Sequence, residues 1–287
     1  MAIFERTYHG YERELTGLWH RPWVIYRYTL ADVFSSRLFA AFFALCFVHP
    51  LMVLITIYMH HNIEVLLQLD ADVGDLMAID SSFFAQWVQV PQMFIAAVLI
   101  TFVGPGLASP DLRNNAMPLF LSRAMSKSSY VLGKLSVLLF LGSCVTWVPG
   151  VILILVQSFL STDPWLIDHG HLVWASMAVS MIWLVTLGML SLAVSAWIKW
   201  RPIARMIFFG TLFVATVLGT IISEIFESWI GEAVSPIGLG LSLTHSLYAV
   251  PSWTTMPGWI AVLILVMVTA VSNVALLRRI RAFEVVS

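Results

Sequence analysis

The residues of this chain best suited to metal chemistry are four histidines in two short segments. His60 and His61 are adjacent, and His169 and His171 are separated by one residue. Imidazole nitrogens bind zinc and copper, so two such pairs could together hold a metal ion. Nothing in the sequence brings the two segments together, and histidine, with its apolar body and polar tip, also suits the end of a membrane helix. We therefore expect these histidines to lie among headgroups, with a metal site as the less favoured alternative.

Glutamines and threonines form a second group of polar side chains, set within apolar sequence. Gln86, Gln89 and Gln92 are three residues apart and so share one broad face of a helix. At membrane depth such side chains face protein or water, because lipid accepts no hydrogen bond. Two hypotheses follow: the glutamines line a transport pathway, or they form hydrogen bonds between helices. Thr211 and Thr216 make a later apolar segment mildly polar, which is compatible with lining the same pathway.

The motifs that would indicate an enzyme are absent from the sequence. No G-x-x-x-x-G-K-[ST] stretch is present for binding nucleotide phosphates, and no H-E-x-x-H is present for a metalloprotease. The apolar segments carry no paired carboxylates, which argues against an intramembrane protease and a proton-coupled pump. We expect no enzymatic activity, no cofactor on this chain and no nucleic-acid partner.

Composition and hydropathy assign the chain to the membrane proteins. It is 60% hydrophobic and 11% charged, with a mean hydropathy of +0.89, whereas soluble domains carry about 25% charged residues. A membrane helix needs about 20 apolar residues. Six segments qualify: 37–60, 83–104, 135–160, 172–197, 206–222 and 257–277. We predict an all-α polytopic protein with six transmembrane helices.

The distribution of charged residues predicts how these spans are oriented in the membrane. All 15 Lys and Arg residues fall in segments on one side of the predicted membrane, whereas the other side holds no basic residue. The carboxylates of that other side are Glu64, Asp70, Asp72, Asp75, Asp80, Asp163, Asp168, Glu224, Glu227 and Glu232. Because basic loops remain in the cytoplasm, we predict a multi-pass protein of the cell inner (plasma) membrane with both termini cytoplasmic.

Two segments outside the spans have amphipathic patterns. We predict that residues 1–36 form a cytoplasmic segment. Within it, the pattern of residues 19–36 predicts a helix that starts near Pro22 and lies along the inner membrane surface. A plain helical extension of the first span is the alternative. In the external segment 223–256, apolar residues from Ile221 to Ile230 follow helical spacing, which predicts a helix that re-enters the membrane between spans five and six. An exposed loop is the alternative there.

The loop 105–134 is the longest predicted cytoplasmic loop between two spans. Ser109, Pro110 and Asp111 predict a helix start, with a capping hydroxyl, a preset φ angle and a carboxylate at the positive end of the helix dipole. Pro118 should end this helix after about two turns. Ser126 is then expected to cap a second helix that continues into the third span.

The residues of this loop resemble those of a known family. The stretch from Asp111 to Ala116, the run Leu119-Phe120-Leu121-Ser122-Arg123 and the end Tyr130-Val131-Leu132-Gly133-Lys134 are similar to the corresponding loop of ABC-2 type transporter permeases. These permeases are the membrane subunits of ATP-binding-cassette exporters. The similarity covers about 25 residues, and the rest of the chain agrees in layout only.

The resemblance implies a half-transporter whose transmembrane domain covers 37–287. It would pair with a second copy of itself or a related permease, surrounded by membrane lipid, while a separate cytoplasmic ABC ATPase hydrolyses Mg-ATP. The residues implied in coupling to this ATPase are Asp111, Leu112, Arg113, Asn114, Arg123 and Lys134. The alternatives are that the arginines hold the loop against headgroups, and that the whole chain is a membrane anchor or assembly subunit, for example in metalloenzyme maturation.

Overall fold

The computed structural model describes residues 20–62, 78–114, 126–161, 164–226, 228–251 and 254–280. Every regular element in these ranges is helical. The α-helices, numbered here in chain order, are α1 His20–Phe34, α2 Arg37–Leu45, α3 Val48–His61, α4 Ser81–Phe83, α5 Val90–Val103, α6 Ser109–Arg113, α7 Lys127–Val145, α8 Trp147–Leu160, α9 Trp165–His169, α10 His171–Trp197, α11 Arg201–Phe226, α12 Ile230–Val234, α13 Pro236–Leu247 and α14 Gly258–Arg279. A π-helical segment, Phe84–Gln89, connects α4 to α5, and a 3-10 turn, Gly104–Gly106, follows α5.

Six helical segments among the described residues are long and apolar enough to cross a membrane. They are Arg37–His61, Ser81–Asp111, Lys127–Leu160, Trp165–Trp197, Arg201–Phe226 and Gly258–Arg279. Each contains or closely matches one of the six segments predicted from hydropathy. The prediction of an all-α chain with six membrane-length helices is therefore confirmed, and we call these segments the first to sixth spans.

The helix is interrupted in each of the first three spans. After each interruption, proline is among the first three residues of the next α-helix. Pro50 is the third residue of α3, Pro91 the second of α5 and Pro149 the third of α8. Proline lacks the N–H that a helix interior needs, but the first turn of a helix leaves its N–H groups unpaired in any case. Each of these three spans is therefore built from more than one helical piece.

The fourth span is the centre of the packing, and the fifth lies at its edge. In the most apolar stretch of the fourth span 61% of the residues are buried. In that of the fifth span only 11% are buried. Small residues allow the close approach around α10: an added Cβ on Gly188 would lie 2.7 Å from a Leu135 methyl, and one on Gly142 would overlap Leu184. The fifth span thus directs most of its apolar surface away from the rest of its own chain.

The amino-terminal helix α1 packs on the beginning of the third span. An added Cβ on Gly133 of α7 would lie 2.8 Å from Ile25 Cβ and 3.0 Å from the Pro22 carbonyl oxygen. Glycine at this position therefore allows the backbones of α1 and α7 to touch. The helix predicted for 19–36 is present as α1.

The segment between the fifth and sixth spans contains more helix than the sequence indicated. Ile221 and Ile225 belong to α11, which runs on to Phe226, and Ile230 begins the short helix α12. The single amphipathic helix predicted from Ile221 to Ile230 is therefore wrong. Gly219 and Gly231 are in close contact, so that α12 folds back against α11.

Helix α13 is the principal element of this segment, and it packs inside the bundle. An added Cβ on its Gly240 would lie 2.9 Å from Met93 Cε of the second span and 3.7 Å from the Trp183 ring of the fourth. The Thr244 hydroxyl lies 3.5 Å from Met93 Sδ. Helix α13 thus packs beside residues near the middle of two spans.

Candidate functional site

A buried polar cluster is centred on Gln89, the last residue of the π-helical segment. The Gln89 side chain is fully buried. Its amide nitrogen donates to Ser180 Oγ at 3.1 Å, and its Oε1 accepts from Tyr248 Oη at 2.9 Å and Ser176 Oγ at 3.3 Å. The Tyr248 hydroxyl is the donor in its contact, because an amide oxygen can only accept. Gln89 therefore joins the second span, the fourth span and the end of α13.

The other two glutamines differ from Gln89 in their surroundings. Gln92 is also fully buried, but neither of its amide atoms has a hydrogen-bond partner among the described residues. An added Cβ on Gly150 would lie 3.4 Å from Gln92 Oε1 and 2.9 Å from Ser176 Oγ, so Gln92 faces α8 and α10. Gln86 is half-buried. For Gln89 this geometry favours the hypothesis of hydrogen bonds between helices over that of a pathway lining. Gln92 forms no such bond among the described residues.

An apolar cavity of about 670 Å³ lies on a different side of the second span. Its walls come from α5, α11 and α13, with Trp183 of α10. They include Met93, Phe94, Thr101, Phe209, Phe213 and Thr216. The hydroxyls of Thr101 and Thr216 donate to carbonyl oxygens of their own helices, at 2.8 Å and 2.9 Å. The cavity therefore offers almost only apolar contacts.

One of the two threonines predicted to line a pathway borders this cavity. The second and fifth spans contribute to its wall, and Thr216 is part of that wall. Thr211 does not line it; its side chain is exposed and donates to the Ile207 carbonyl oxygen at 2.8 Å. Phe94 and Phe209 could not be identified from the sequence, because an apolar residue that lines a cavity has the same hydropathy as one that faces lipid.

At the basic end of the second span, Asp111 of α6 is bound to the third span. Its Oδ2 lies 3.0 Å from Lys134 Nζ and accepts a hydrogen bond from Tyr130 Oη at 2.7 Å. Tyr130 is fully buried, and Lys134 is 9% exposed. Asp111 and Lys134, both predicted to contact an ATPase, thus pair with each other within this chain.

The opposite side of α6 is attached to the end of the fourth span by two serines. Ser195 Oγ accepts hydrogen bonds from the backbone N–H groups of Ala108 and Ser109 at 3.1 Å and 2.9 Å. Ser109 Oγ lies 2.8 Å from both the Pro105 and Ile198 carbonyl oxygens. The Ser109 hydroxyl, predicted to cap α6, is thus within hydrogen-bonding distance of carbonyl groups of the second span and of the residue that follows the fourth span.

The other residues singled out in the loop 105–134 differ in where they lie. Arg113 and Asn114 are exposed at the end of α6. Leu112 belongs to α6. Arg123 and Pro118 lie outside the described residues. Ser126 caps α7 as predicted, accepting a hydrogen bond from the Ser129 N–H at 3.1 Å.

The histidines do not form a metal centre among the described residues, where no group of three or more His, Cys, Asp or Glu side chains is placed to hold an ion. His61 Nε2 lies 3.0 Å from Gln157 Oε1 of α8. The His169 ring stacks on Trp165 with centroids 4.4 Å apart, and its Nδ1 lies 3.1 Å from the Trp165 carbonyl oxygen. One histidine of each pair, His61 and His169, thus contacts a residue that is not a metal ligand.

Comparison with models of protein families and with curated proteins gives no match for this chain.

Proposed function

We propose that this chain is the permease subunit of an ABC-2 type exporter, which moves an as yet unidentified substrate outward with energy from a separate ATPase. The observation that carries the proposal is the attachment of α6. One side of this helix is paired with the third span through Asp111 and Lys134, and the other with the fourth span through Ser109 and Ser195. Its exposed end carries Arg113 and Asn114, which would contact the ATPase. Such a helix suits the transfer of force from a partner to the bundle.

The apolar cavity supplies a second argument for transport. The second span runs from the cavity wall at Phe94 through the turn Gly104–Gly106 directly into α6. A displacement of α6 would therefore be transmitted along α5 to the wall of the cavity. In this proposal the cavity belongs to the substrate pathway, and ATP binding by the partner changes access to it.

The proposed orientation follows from charge and from the position of α13. In this proposal both termini lie in the cytoplasm of a plasma-membrane protein and α1 lies along the inner surface, which the basic residues at the inner ends of the spans support. Helix α13 re-enters the membrane from outside, supported by the contact of Gly240 with Met93 and Trp183, both near the middle of their spans.

The fifth span supports pairing of two permease subunits. Large apolar side chains along α11 are exposed, among them Phe209, Phe213 and Ile225. Part of this surface borders the cavity. A second copy, or a related permease, would cover it and complete the pathway between the two subunits.

Coupled ATP hydrolysis tests the proposal directly. The full chain is reconstituted in liposomes with the ABC ATPase encoded by an adjacent reading frame, and co-purification and ATPase stimulation are measured. Arg113→Ala with Asn114→Ala should reduce both quantities, whereas Lys199→Ala, an exposed basic residue at another inner span end, should change neither. An ATPase that binds the chain without any stimulation would instead support the anchor or assembly subunit. Absence of binding to every ABC ATPase of the same genome would refute the proposal.

A further inference from the structure

We propose that a pocket at the inner end of the bundle binds an anionic phospholipid, with the phosphate on Arg201 and Arg205 and the acyl chain along a group of phenylalanines. The pocket has a volume of about 250 Å³ and lies between the end of α1, α2, the end of the second span and the start of α11. It is separate from the apolar cavity of the preceding section. This inference does not depend on transport or on an ATPase partner.

The first argument is the charge of the pocket. Arg201 and Arg205 are four residues apart and therefore share one face of α11. Among the described residues the only ion pair within 4 Å joins Lys134 to Asp111, so neither arginine is paired with a carboxylate there. Asp32 is the one acidic residue that lines the pocket, and its side chain is exposed. Two guanidinium groups thus face one carboxylate, which leaves the pocket positive.

The beginning of a long helix adds to this potential. Helix α11 starts at Arg201 and is 26 residues long. The helix dipole gives this end of α11, where the two arginines lie, a partial positive charge. Gly106 in the opposite wall lies close to Arg205, since an added Cβ there would be in ordinary van der Waals contact, 3.7 Å from Arg205 Nη2. An oxyanion is the ligand that such a surface favours.

The second argument is the apolar wall beside the arginines. Phe39 is buried, and the rings of Phe42 and Phe102 are 5.1 Å apart. All three line the pocket. A soluble phosphate would contact the arginines but make no use of this apolar wall. A ligand that joins a phosphate to an acyl chain engages both parts of the pocket.

The third argument is the depth of the pocket in the membrane. Trp197 and Trp200 lie four residues and one residue before Arg201 and are 61% and 65% exposed. Exposed tryptophans prefer the headgroup layer, because the ring is apolar while its N–H needs a polar partner. The arginines thus lie at the level of lipid phosphates. Because the pocket is smaller than the roughly 300–1,000 Å³ of sites that enclose a whole ligand, the acyl chains would extend from it into the bilayer.

Lipid binding to the full chain in neutral detergent tests the proposal. Phosphatidylglycerol and phosphatidylcholine are titrated separately, and bound lipid is counted by native mass spectrometry. We expect the wild type to prefer phosphatidylglycerol. Arg201→Gln with Arg205→Gln should weaken phosphatidylglycerol binding at least tenfold, or about 1.4 kcal/mol, and leave phosphatidylcholine binding unchanged. Phe102→Ala should weaken phosphatidylglycerol binding although it retains both charges.

A matched charge control and a soluble anion complete the test. Lys127→Gln with Arg278→Gln removes two exposed basic residues from the inner ends of other spans, and phosphatidylglycerol binding should stay within twofold of the wild type. Equal losses in the two double variants would overturn the proposal in favour of general attraction to a basic surface. Inorganic phosphate that displaces the lipid at comparable concentration would indicate a soluble-anion site instead. If the arginine pair proves necessary for folding, Arg201→Gln alone should still weaken binding about threefold, and unchanged binding would contradict the proposal.

Discussion

The Lys134 ammonium lies 3.0 Å from the Asp111 carboxylate, and this contact fastens the helix between the second and third spans to the start of the third. Both residues were expected to meet a partner protein. Their pairing assigns them instead to holding α6 in place, while Arg113 and Asn114 remain exposed for contact. Experiments can distinguish the residues that hold α6 in place from those that are exposed for contact with a partner.

Removing one member of this pair should destabilise the protein more than removing both. Lys134→Met leaves Asp111 without its cation, which costs about 3 kcal/mol, the lower end of the range for broken buried pairs. The lower end applies because about a fifth of the Asp111 side chain is exposed. Unfolding in mixed detergent measures the loss. The double variant Lys134→Met, Asp111→Asn should recover part of it, and additive losses would show that the two residues are not coupled.

Ser195→Ala should loosen the other attachment of α6. The change leaves two backbone N–H groups, of Ala108 and Ser109, without their acceptor, and an unsatisfied buried donor costs about 1–3 kcal/mol. We expect a lower unfolding free energy and weaker ATPase stimulation. Ser136→Ala is the control, since that hydroxyl donates only to the Leu132 carbonyl oxygen of its own helix. A loss for Ser136→Ala as large as that for Ser195→Ala would contradict this role.

Gln89→Leu should weaken the contact between the second span and α13. It deprives three hydroxyls, of Ser176, Ser180 and Tyr248, of their partner. Side-chain hydrogen bonds within membranes contribute about 0.6 kcal/mol each, so we expect a loss of about 1–2 kcal/mol in unfolding free energy. Tyr248→Phe should give a smaller loss in the same direction. Gln86→Leu, at a half-buried position, serves as the comparison, and an equal loss there would refute the special role of Gln89.

Filling the apolar cavity should exclude an apolar ligand. Thr216→Trp places a large ring in the cavity between the second and fifth spans. We expect binding of a fluorescent fatty-acyl probe to weaken about tenfold, or about 1.4 kcal/mol. Val214→Trp, two residues earlier on α11 and not part of the lining, should leave probe binding unchanged. Equal effects of the two substitutions would indicate that the probe binds elsewhere.

Zinc should not stabilise the protein through its histidines. His61 and His169 have other polar neighbours, and no three ligand side chains converge among the described residues. An ion bound at a hundred times its Kd would add about 2.7 kcal/mol to the unfolding free energy. We expect the melting temperature to be the same after chelation and after addition of zinc. A rise that disappears in His61→Ala would overturn this expectation.

Hydropathy predicted the six spans because a run of about 20 apolar residues has few folded alternatives. Local chemistry also predicted the start of α7 at Ser126, where a capping hydroxyl needs only a neighbouring N–H group. Ser109 shows the limit of the same reasoning. Its hydroxyl oxygen lies 2.8 Å from both the Pro105 and the Ile198 carbonyl oxygens, and Ile198 is 89 residues away in the chain. Whether a serine hydroxyl meets a distant carbonyl group depends on how the helices pack, which the local sequence does not show.

Helix α13 and the cavity could not be predicted for a related reason. At 12 residues α13 is too short for a span, and its glycines make it a weak helix by propensity. It is stabilised by contacts with Met93 and Trp183, which lie in other spans. The face on which Gln89 lies is likewise set by the π-helical segment, which alters the ordinary 3.6-residue spacing.

The contact at Gly133 has a mechanical consequence. The turn from Tyr130 to Lys134 touches α6 through Asp111 and α1 through Gly133. A load applied to α6 therefore reaches the amino-terminal helix across a single helical turn, a rise of about 5.4 Å, without crossing the interior of the bilayer. Conversely, lateral tension acting on α1 would strain the same turn, so a substitution at Gly133 should change how stiffly the two helices resist displacement.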